Sequence, residues 1–401
     1  MDSAGPGGGG FTSSGSFADI GRSSRVRPGG SFSRGDTPMK GALSFFLLEV
    51  KTLLLGNEGT RRKKVVAACC LLAVFMFSVF LVCRPPLRGA EAELWDKARA
   101  AQSWLWAERE RMNIASDQKI DPWRTGLIGL EWSTITTTMG KLEAKRTATD
   151  PGWAVLLLKW YRSLGLLEGD RLAILASGSF PGFLLSAILA AEKMDLELLV
   201  IPSLGASSWG ANLPDLPLTA IIETLRRGGF IRVVPGAATL GGAGERATDL
   251  SPEGRAILME SLKSSGIPLI YADTLEGIMA QKWETLAAFS PKVIVQIGGS
   301  QANLGTDDAV LKLDPGIILP EEATEAGNGI IARALESGIP VIHMLDVRAL
   351  SREAGIPYDG KPKRKTPGRT PGILAIFALA AWGLFLLCFR RWTLEKGDAG
   401  K

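Results

Sequence analysis

The sequence predicts an α/β protein with a doubly wound, mostly parallel sheet, a helical N-terminal extension and two flanking transmembrane helices. This prediction depends on three observations. Apolar segments of strand length alternate with helical segments after residue 150, these apolar segments lack the polar alternation of a solvent-facing sheet, and two charge-free apolar runs enclose the region.

The repeated pattern of strands and helices defines a main domain at residues 150–360. Asp150-Pro151 is typical of a helix start, and Gly-Ile-Pro occurs twice between a helix and a strand, in segments 261–279 and 334–350. The other predicted elements are a helix at 153–165, a strand at 172–176, a turn at 177–182, a helix at 183–194, and strands at 196–203 and 292–299. Strands joined by helices in this way favour a parallel sheet that is covered on both faces.

The segments around this domain differ from it in composition. Residues 90–113 lack Gly and Pro, which predicts a helix within an extension at 84–149 that also holds a threonine-rich motif. The remaining segments are predicted as a disordered Gly/Ser-rich tail at 1–41, an interfacial amphipathic segment at 42–60, transmembrane helices at 65–83 and 372–389, a basic linker at 361–371 and a second tail at 390–401. Both apolar runs approach the ~20 residues that cross about 30 Å of hydrocarbon.

Basic residues beside the two runs predict the orientation. Arg61 to Lys64 precede the first run and Arg390-Arg391 follow the second, so the positive-inside bias places both termini in the cytoplasm. The main domain would then lie outside the cytoplasmic membrane. The basic residues at 361–365 oppose this orientation. Because no A-x-A site follows the first run, we interpret it as an uncleaved signal anchor.

Charge and cysteine content exclude several classes of function. The formal net charge is +5, but residues 1–64 carry +5, residues 361–401 carry +7, and residues 65–360 carry −7. Because a nucleic-acid surface would need a basic domain, no nucleic-acid partner is predicted. The four cysteines lie in or beside the apolar runs, which leaves no disulfide framework and no cysteine zinc site, and no cofactor is predicted.

Polar loops follow the predicted parallel strands, at the edge where such sheets bind ligands. SGSFPG precedes a helix whose free N–H groups attract anions, although an ordinary serine-capped turn explains it equally well. IPSLGASSWGAN combines hydroxyls, glycines and one indole ring. The ligand-binding residues predicted in these loops and in VQIGGSQANLG are Ser177, Ser179, Gly182, Ser207, Ser208, Trp209, Asn212 and Asn303.

The segment EWSTITTTMGKLEAKRT combines hydroxyls with cations. Thr136 and Thr137 precede Lys141, Lys145 and Arg146, a combination that suits an anionic polymer. Lys141 and Lys145 would share one face of a helix. A threonine-rich strand followed by a solvated helix is the alternative interpretation.

His343 is the only histidine of the chain. A Ser–His mechanism would therefore use His343 as the base and Asp346 to orient it, and a packed, hydrogen-bonded histidine is the alternative. The nucleophile would be one of three loop serines, Ser179, Ser207 and Ser208. A metal site formed by His343 with Asp307, Asp308 and Asp346 is the less favoured use of these residues, and no metal is predicted.

Five separated motifs resemble the bacterial poly-gamma-glutamate system protein family. They are GLIGLEWSTITTTMGKLEAKRT (126–147), SGSFPG (177–182), SLGASSWGAN (203–212), GGAGERATDLSPEGR (241–255) and VQIGGSQANLG (295–305). The resemblance covers roughly residues 90–360. It implies a role beside the ligase and membrane export subunits that make and export poly-γ-glutamate, and it implies no particular reaction.

Three functions are compatible with this sequence. The first is a membrane-anchored accessory component of poly-γ-glutamate synthesis or export, whose α/β domain binds the anionic polymer or a partner subunit. The second is a hydrolase or transpeptidase of γ-glutamyl chains, with a serine nucleophile and His343 as base. The third is a structural scaffold subunit of the membrane complex.

Overall fold

A computed structural model of the chain describes residues 86–114, 116–307 and 309–367, together with Ala73, Trp382 and Gly383. The predicted tails, the interfacial segment, and both predicted transmembrane helices apart from those three residues lie outside the described residues. Among the helices of the described part, none has the length and apolar character that a membrane crossing needs.

The described chain is an α/β structure, as the sequence predicts. Its helices are α1 (Gly89–Arg111), α2 (Leu142–Ala148), α3 (Gly152–Ser163), α4 (Pro181–Lys193), α5 (Leu218–Arg227), α6 (Pro252–Ser265), α7 (Leu275–Phe289), α8 (Gln301–Leu304), α9 (Ile330–Glu336) and α10 (Val347–Ala354). Its strands are β1 (Thr136–Thr138), β2 (Arg171–Ser177), β3 (Glu197–Ser203), β4 (Ala206–Ser207), β5 (Asn212–Leu213), β6 (Leu216–Pro217), β7 (Val293–Ile297), β8 (Gly316–Ile318) and β9 (Val341–Met344).

The central sheet has five strands in the order β3-β2-β7-β9-β8. The first four strands run parallel, and β8 pairs antiparallel with β9 at one edge. The chain leaves β2 for β3 on one side and later returns to β7 on the other side. The carboxyl ends of β2 and β7 therefore form the point where the strand order reverses, which is where ligands bind in sheets of this kind.

One predicted strand is not part of this sheet. The Gly-Ile-Pro segment of 334–350 forms β9, but the equivalent segment of 261–279 makes a single parallel bridge between Leu269 and Ala238. The carbonyl of Pro268 and the N–H of Ile270 pair with Ala238, which directly precedes Thr239, the residue that bridges to Ser203 of β3. Because Pro268 has no N–H, a regular ladder is interrupted there. The edge strand β8 was not predicted.

The two faces of the sheet are covered by different sets of side chains. Ile174, Val295 and Ile342 belong to a large apolar cluster with α1, α3, α4 and α10, whereas Leu175, Ile294 and neighbouring residues belong to a second cluster with α7 and α9. Helix α4 is buried along nearly its whole length. These helices account for the continuous apolar sequence of the strands.

The aromatic contact between Trp153 and Phe183 fixes helix α3 against helix α4. The two rings meet edge to face with centroids 5.0 Å apart, and the indole Nε1 donates to the carbonyl of Thr147 at 2.7 Å. Since Thr147 belongs to α2, this buried tryptophan connects three helices. The contact therefore holds α2 against α3 and α4.

We expect Trp153→Ala to lower the free energy of unfolding by about 3–5 kcal/mol, because a fully buried indole is replaced by a cavity. Chemical denaturation of the full chain, followed by circular dichroism, measures this change. The matched variant Trp132→Ala removes an indole that is 59% exposed and should change the value by at most about 0.5 kcal/mol. Equal losses in both variants would contradict the packing described here.

Candidate active site

Three loops converge at the carboxyl edge of the sheet. Strand β1 pairs with β4, so that Thr138 lies opposite Ser207. The turn after β2 is joined to the loop after β3, because Gly178 N–H donates to the carbonyl of Ser203 and Ala211 N–H donates to the carbonyl of Gly178, both at 2.8 Å. The threonine-rich segment, SGSFPG and the serine loop therefore form one polar site.

Lys145 is the central side chain of this site. Its Nζ donates to Ser207 Oγ at 2.7 Å and to the carbonyl oxygen of Ser179 at 2.6 Å. The same Nζ lies 3.8 Å from the centroid of the Phe180 ring. In addition, Ser207 N–H donates to Ser179 Oγ at 3.0 Å. The amine and the two serines are thus fixed relative to one another.

The amine of Lys145 is enclosed by protein and is 4% exposed as a residue. It has no ion-pair partner in the part of the chain that the structure describes, and the two serine oxygens and the aromatic ring are its neighbours. Burial disfavours the ammonium form and lowers the pKa of Lys145 to about 7. At neutral pH a large share of this lysine is therefore a free amine that can accept a proton.

The backbone around Ser207 brings the loops unusually close. Gly140 passes over the serine, and a Cβ built on Gly140 would lie 3.1 Å from Ser207 Oγ and 3.2 Å from Lys145 Cε. Trp209 has a φ of 64°, a left-handed conformation that is strained for a bulky residue. Its N–H donates to the carbonyl of Leu130 and its carbonyl accepts from Gly129. These contacts hold the strained turn next to Ser207.

Several predicted binding residues hold the loops together. Asn212 donates to the carbonyl of Leu130 and to Thr136 Oγ1, while its Oδ1 accepts from Leu130 N–H. Ser208 is fully buried, and its N–H and hydroxyl both point to the carbonyl of Thr138. The hydrogen-bonding groups of these side chains are therefore used within the fold.

The three predicted cations have different positions. Lys141 precedes α2 and is exposed, so the helix does not place it beside Lys145. Arg146 donates to the carbonyls of Lys119 and Ile120 and pairs with Asp359 at 3.4 Å. Because Lys141 is exposed and Arg146 is held by structural bonds, Lys145 is the one of the three predicted cations that contacts the serines.

The other predicted binding residues lie outside this cluster of contacts. Thr137 is half-buried and contacts the glycines of the neighbouring loops, and Gly182 brings α4 against the backbone of Ala148. Ser177 and Asn303 are buried, and the side-chain hydroxyl of Ser177 and both polar atoms of Asn303 lack a hydrogen-bond partner within the described residues. The structure therefore does not place them in contact with Lys145.

His343 lies within the sheet rather than among the serines. It is 3% exposed, and its Nδ1 lies 2.7 Å from Oε1 of Gln296, the residue directly opposite on β7. His343 is in register with Gln296, and Gln296 is in register with Leu175, so these side chains lie on the face of the sheet that α7 and α9 cover. Phe180, which contacts Lys145, belongs to the apolar cluster of the other face. Burial lowers the pKa of His343 to about 4. Asp346 caps helix α10 by accepting from Ala349 N–H at 2.9 Å.

A second buried polar cluster, centred on Glu245, was not anticipated from the sequence. The carboxylate accepts from the hydroxyls of Ser203, Thr239 and Ser300 at 2.5–2.8 Å. Lys282 is fully buried on α7, where burial lowers its pKa and the charge of Glu245 opposes that shift. A glutamate inside the glycine-rich motif GGAGER was the only sequence signal, and it resembles an ordinary loop residue.

Comparisons with known proteins add no identification. No protein-family model, no curated protein and no solved structure matches the chain. Within the described residues, no group of three or more His, Cys, Asp or Glu side chains is arranged to hold a metal ion. The candidate site is therefore interpreted from its own geometry.

The pH dependence of stability tests the burial of Lys145. With a folded pKa of about 7 and an ordinary unfolded pKa near 10.5, the unfolded chain binds more protons between these values, so stability rises with pH. Between pH 6 and pH 9, the parent chain should gain about 3 kcal/mol relative to Lys145→Met. Chemical denaturation at both pH values measures the difference.

Lys141→Met is the matched control because it removes an exposed amine four residues away. Its stability relative to the parent should be the same at both pH values. A pH-independent difference for Lys145→Met would show that the buried amine has an ordinary pKa.

Proposed function

We propose that the protein is an acyl-transfer enzyme with Ser207 as nucleophile and Lys145 as general base. The observation that supports it is the 2.7 Å contact between Lys145 Nζ and Ser207 Oγ, made by an enclosed amine whose pKa is about 7. A serine hydroxyl is a weak nucleophile until a neighbouring base takes its proton. A lysine does this only when burial keeps it neutral near the working pH.

The reaction assigned to these groups is addition followed by elimination. Ser207 Oγ forms a bond to the substrate's carbonyl carbon while its proton passes to Lys145 Nζ. The bond from that carbon to the leaving amine or alcohol then breaks, and the ammonium of Lys145 returns the proton to the leaving group. Water or a second amine attacks the resulting ester, which makes the enzyme a hydrolase or a transpeptidase, respectively.

The substrate that we propose is the γ-linked glutamyl chain. The resemblance of five motifs to the poly-γ-glutamate system proteins supports it, and the predicted apolar runs support an anchored enzyme whose main domain lies outside the cytoplasmic membrane. In this proposal the ligase and the export subunits are its membrane partners, and the enzyme trims or transfers their polymer. Lys145 replaces His343 as the base of the mechanism.

Binding of the polymer without chemistry is the competing proposal. The N-terminus of α4 and the exposed amine of Lys141 favour a local attraction for carboxylates. The net charge of −7 over residues 65–360 opposes general attraction of a polyanion. An accessory or scaffold protein of this kind would not need an amine that has lost its charge.

Acylation by an activated ester tests the catalytic pair. The full chain incubated with p-nitrophenyl acetate should release nitrophenol and carry an acetyl group on Ser207, as located by mass spectrometry. Ser207→Ala and Lys145→Arg should each lose at least about 10³-fold in rate, because the first lacks the nucleophile and the second keeps its proton. Ser163→Ala, which removes an exposed helical hydroxyl, should react like the parent.

The pH profile separates the two bases. The acylation rate should rise with pH through about 7, where Lys145 loses its proton, and His343→Gln should leave this profile in place. A rise centred near pH 4 that disappears in His343→Gln would assign the base to His343 instead. Acetylation of Ser179 rather than Ser207 would overturn the assignment of the nucleophile.

The substrate proposal predicts a change in chain length. We expect the full chain to shorten or extend γ-linked oligoglutamate, as resolved by gel electrophoresis, and we expect Ser207→Ala to leave the length distribution unchanged. The same oligomer with α-linked peptide bonds is the control. Salt-sensitive binding of the γ-linked oligomer without any change in length would favour the accessory role.

A further inference from the structure

Ser179 makes two contacts that connect the base with the nucleophile. Its carbonyl oxygen accepts from Lys145 Nζ at 2.6 Å, and its Oγ accepts from Ser207 N–H at 3.0 Å. Ser179 is half-buried, whereas Ser207 is 8% exposed, so Ser179 is the more accessible of the two serines.

Acyl transfer requires a hydrogen-bond donor for the negative charge that develops on the substrate's carbonyl oxygen. The backbone N–H of the nucleophile often provides it. In this site that N–H is already bonded to Ser179 Oγ, and the N–H of the next residue, Ser208, donates to the carbonyl of Thr138 at 2.9 Å. The two nearest backbone donors are therefore occupied.

The hydroxyl of Ser179 retains a donor for this purpose. A serine hydroxyl has one O–H and two acceptor positions. One acceptor position is filled by Ser207 N–H, and within the described residues no acceptor receives the O–H of Ser179. A hydroxyl that accepts a hydrogen bond becomes a stronger donor, because bonds in a chain polarise one another.

We infer that the Ser179 hydroxyl donates to the oxyanion that forms when Ser207 attacks a carbonyl group, an assignment that rests on the proposed function. As the bond from Ser207 Oγ to carbon forms, the electron pair of the carbonyl double bond moves onto oxygen, and Ser179 O–H donates to that oxygen without releasing its proton. When the double bond is restored, the leaving group departs with the proton held by Lys145. Ser179 is thus a catalytic residue of the acylation step and is not its nucleophile.

Replacing the carbonyl oxygen by sulfur tests this role in the full chain. Acylation of Ser207 is measured with p-nitrophenyl acetate and with its thionoester, whose sulfur accepts hydrogen bonds poorly. We expect Ser179→Ala to slow acylation by the oxygen ester about 10²–10³-fold through kcat, with a much smaller loss for the thionoester. The ratio of the oxygen rate to the sulfur rate should therefore fall, and Ser179→Thr should restore it.

Gly140→Ala provides the structural control. A Cβ on Gly140 would lie 3.1 Å from Ser207 Oγ and 3.2 Å from Lys145 Cε, so this variant disturbs the nucleophile and the base rather than Ser179. It should slow both esters to a similar extent. An unchanged ratio in Ser179→Ala would overturn the oxyanion role and leave Ser179 a residue that merely holds the loop. Failure of the parent chain to be acylated at Ser207 would instead overturn the proposed function together with this inference.

Discussion

The enclosure of a lysine amine that has no carboxylate partner among the described residues is the constraint on which the candidate site depends. Burying an ammonium ion is costly, and proteins normally pair such a group with an opposite charge. Lys145 instead has a serine hydroxyl, a backbone carbonyl and an aromatic ring. The packing of α2 against α4 and α10 offsets the cost of burying this amine. The result is an amine that is close to losing its proton at neutral pH.

Some strands of the fold can be predicted from the sequence and others cannot. The strands at 172–176 and 196–203 were predictable because four or more consecutive apolar residues are needed where a parallel strand is covered on both faces. The segment after Pro268 has a similar apolar sequence, but it pairs with an irregular loop at Ala238 instead of a strand of the sheet. A local sequence pattern does not indicate which segment it will pair with. Strand β8 is short and lies between 3₁₀ turns, so it has no periodic signal.

The candidate site was predictable in place but not in chemistry. Parallel strands bring SGSFPG and SLGASSWGAN to one edge, and this follows from the sequence alone. The role of Lys145 did not follow, because a lysine in a polar helix next to an arginine has the composition of a solvated face. Its burial depends on helix α2 packing against α4 and α10, which are tertiary contacts between distant segments. Conversely, the only histidine of the sequence predicts a catalytic base because of its chemistry. Its position in a central strand instead makes it a hydrogen-bond partner of Gln296.

The close approach of the loops at their glycines has a consequence for how this site can change over evolutionary time. A side chain on Gly178 would lie 2.5 Å from the carbonyl oxygen of Leu204, and one on Gly210 would lie 2.8 Å from that of Gly178. In both cases the added Cβ would meet a backbone atom, so no change of side-chain rotamer can relieve the clash. Hydroxyls in the site can be exchanged singly with a loss of rate, whereas the glycines cannot be exchanged without moving two loops at once. Descendants of this chain that acquire another activity are therefore expected to keep the glycine spacing and to vary the residues between.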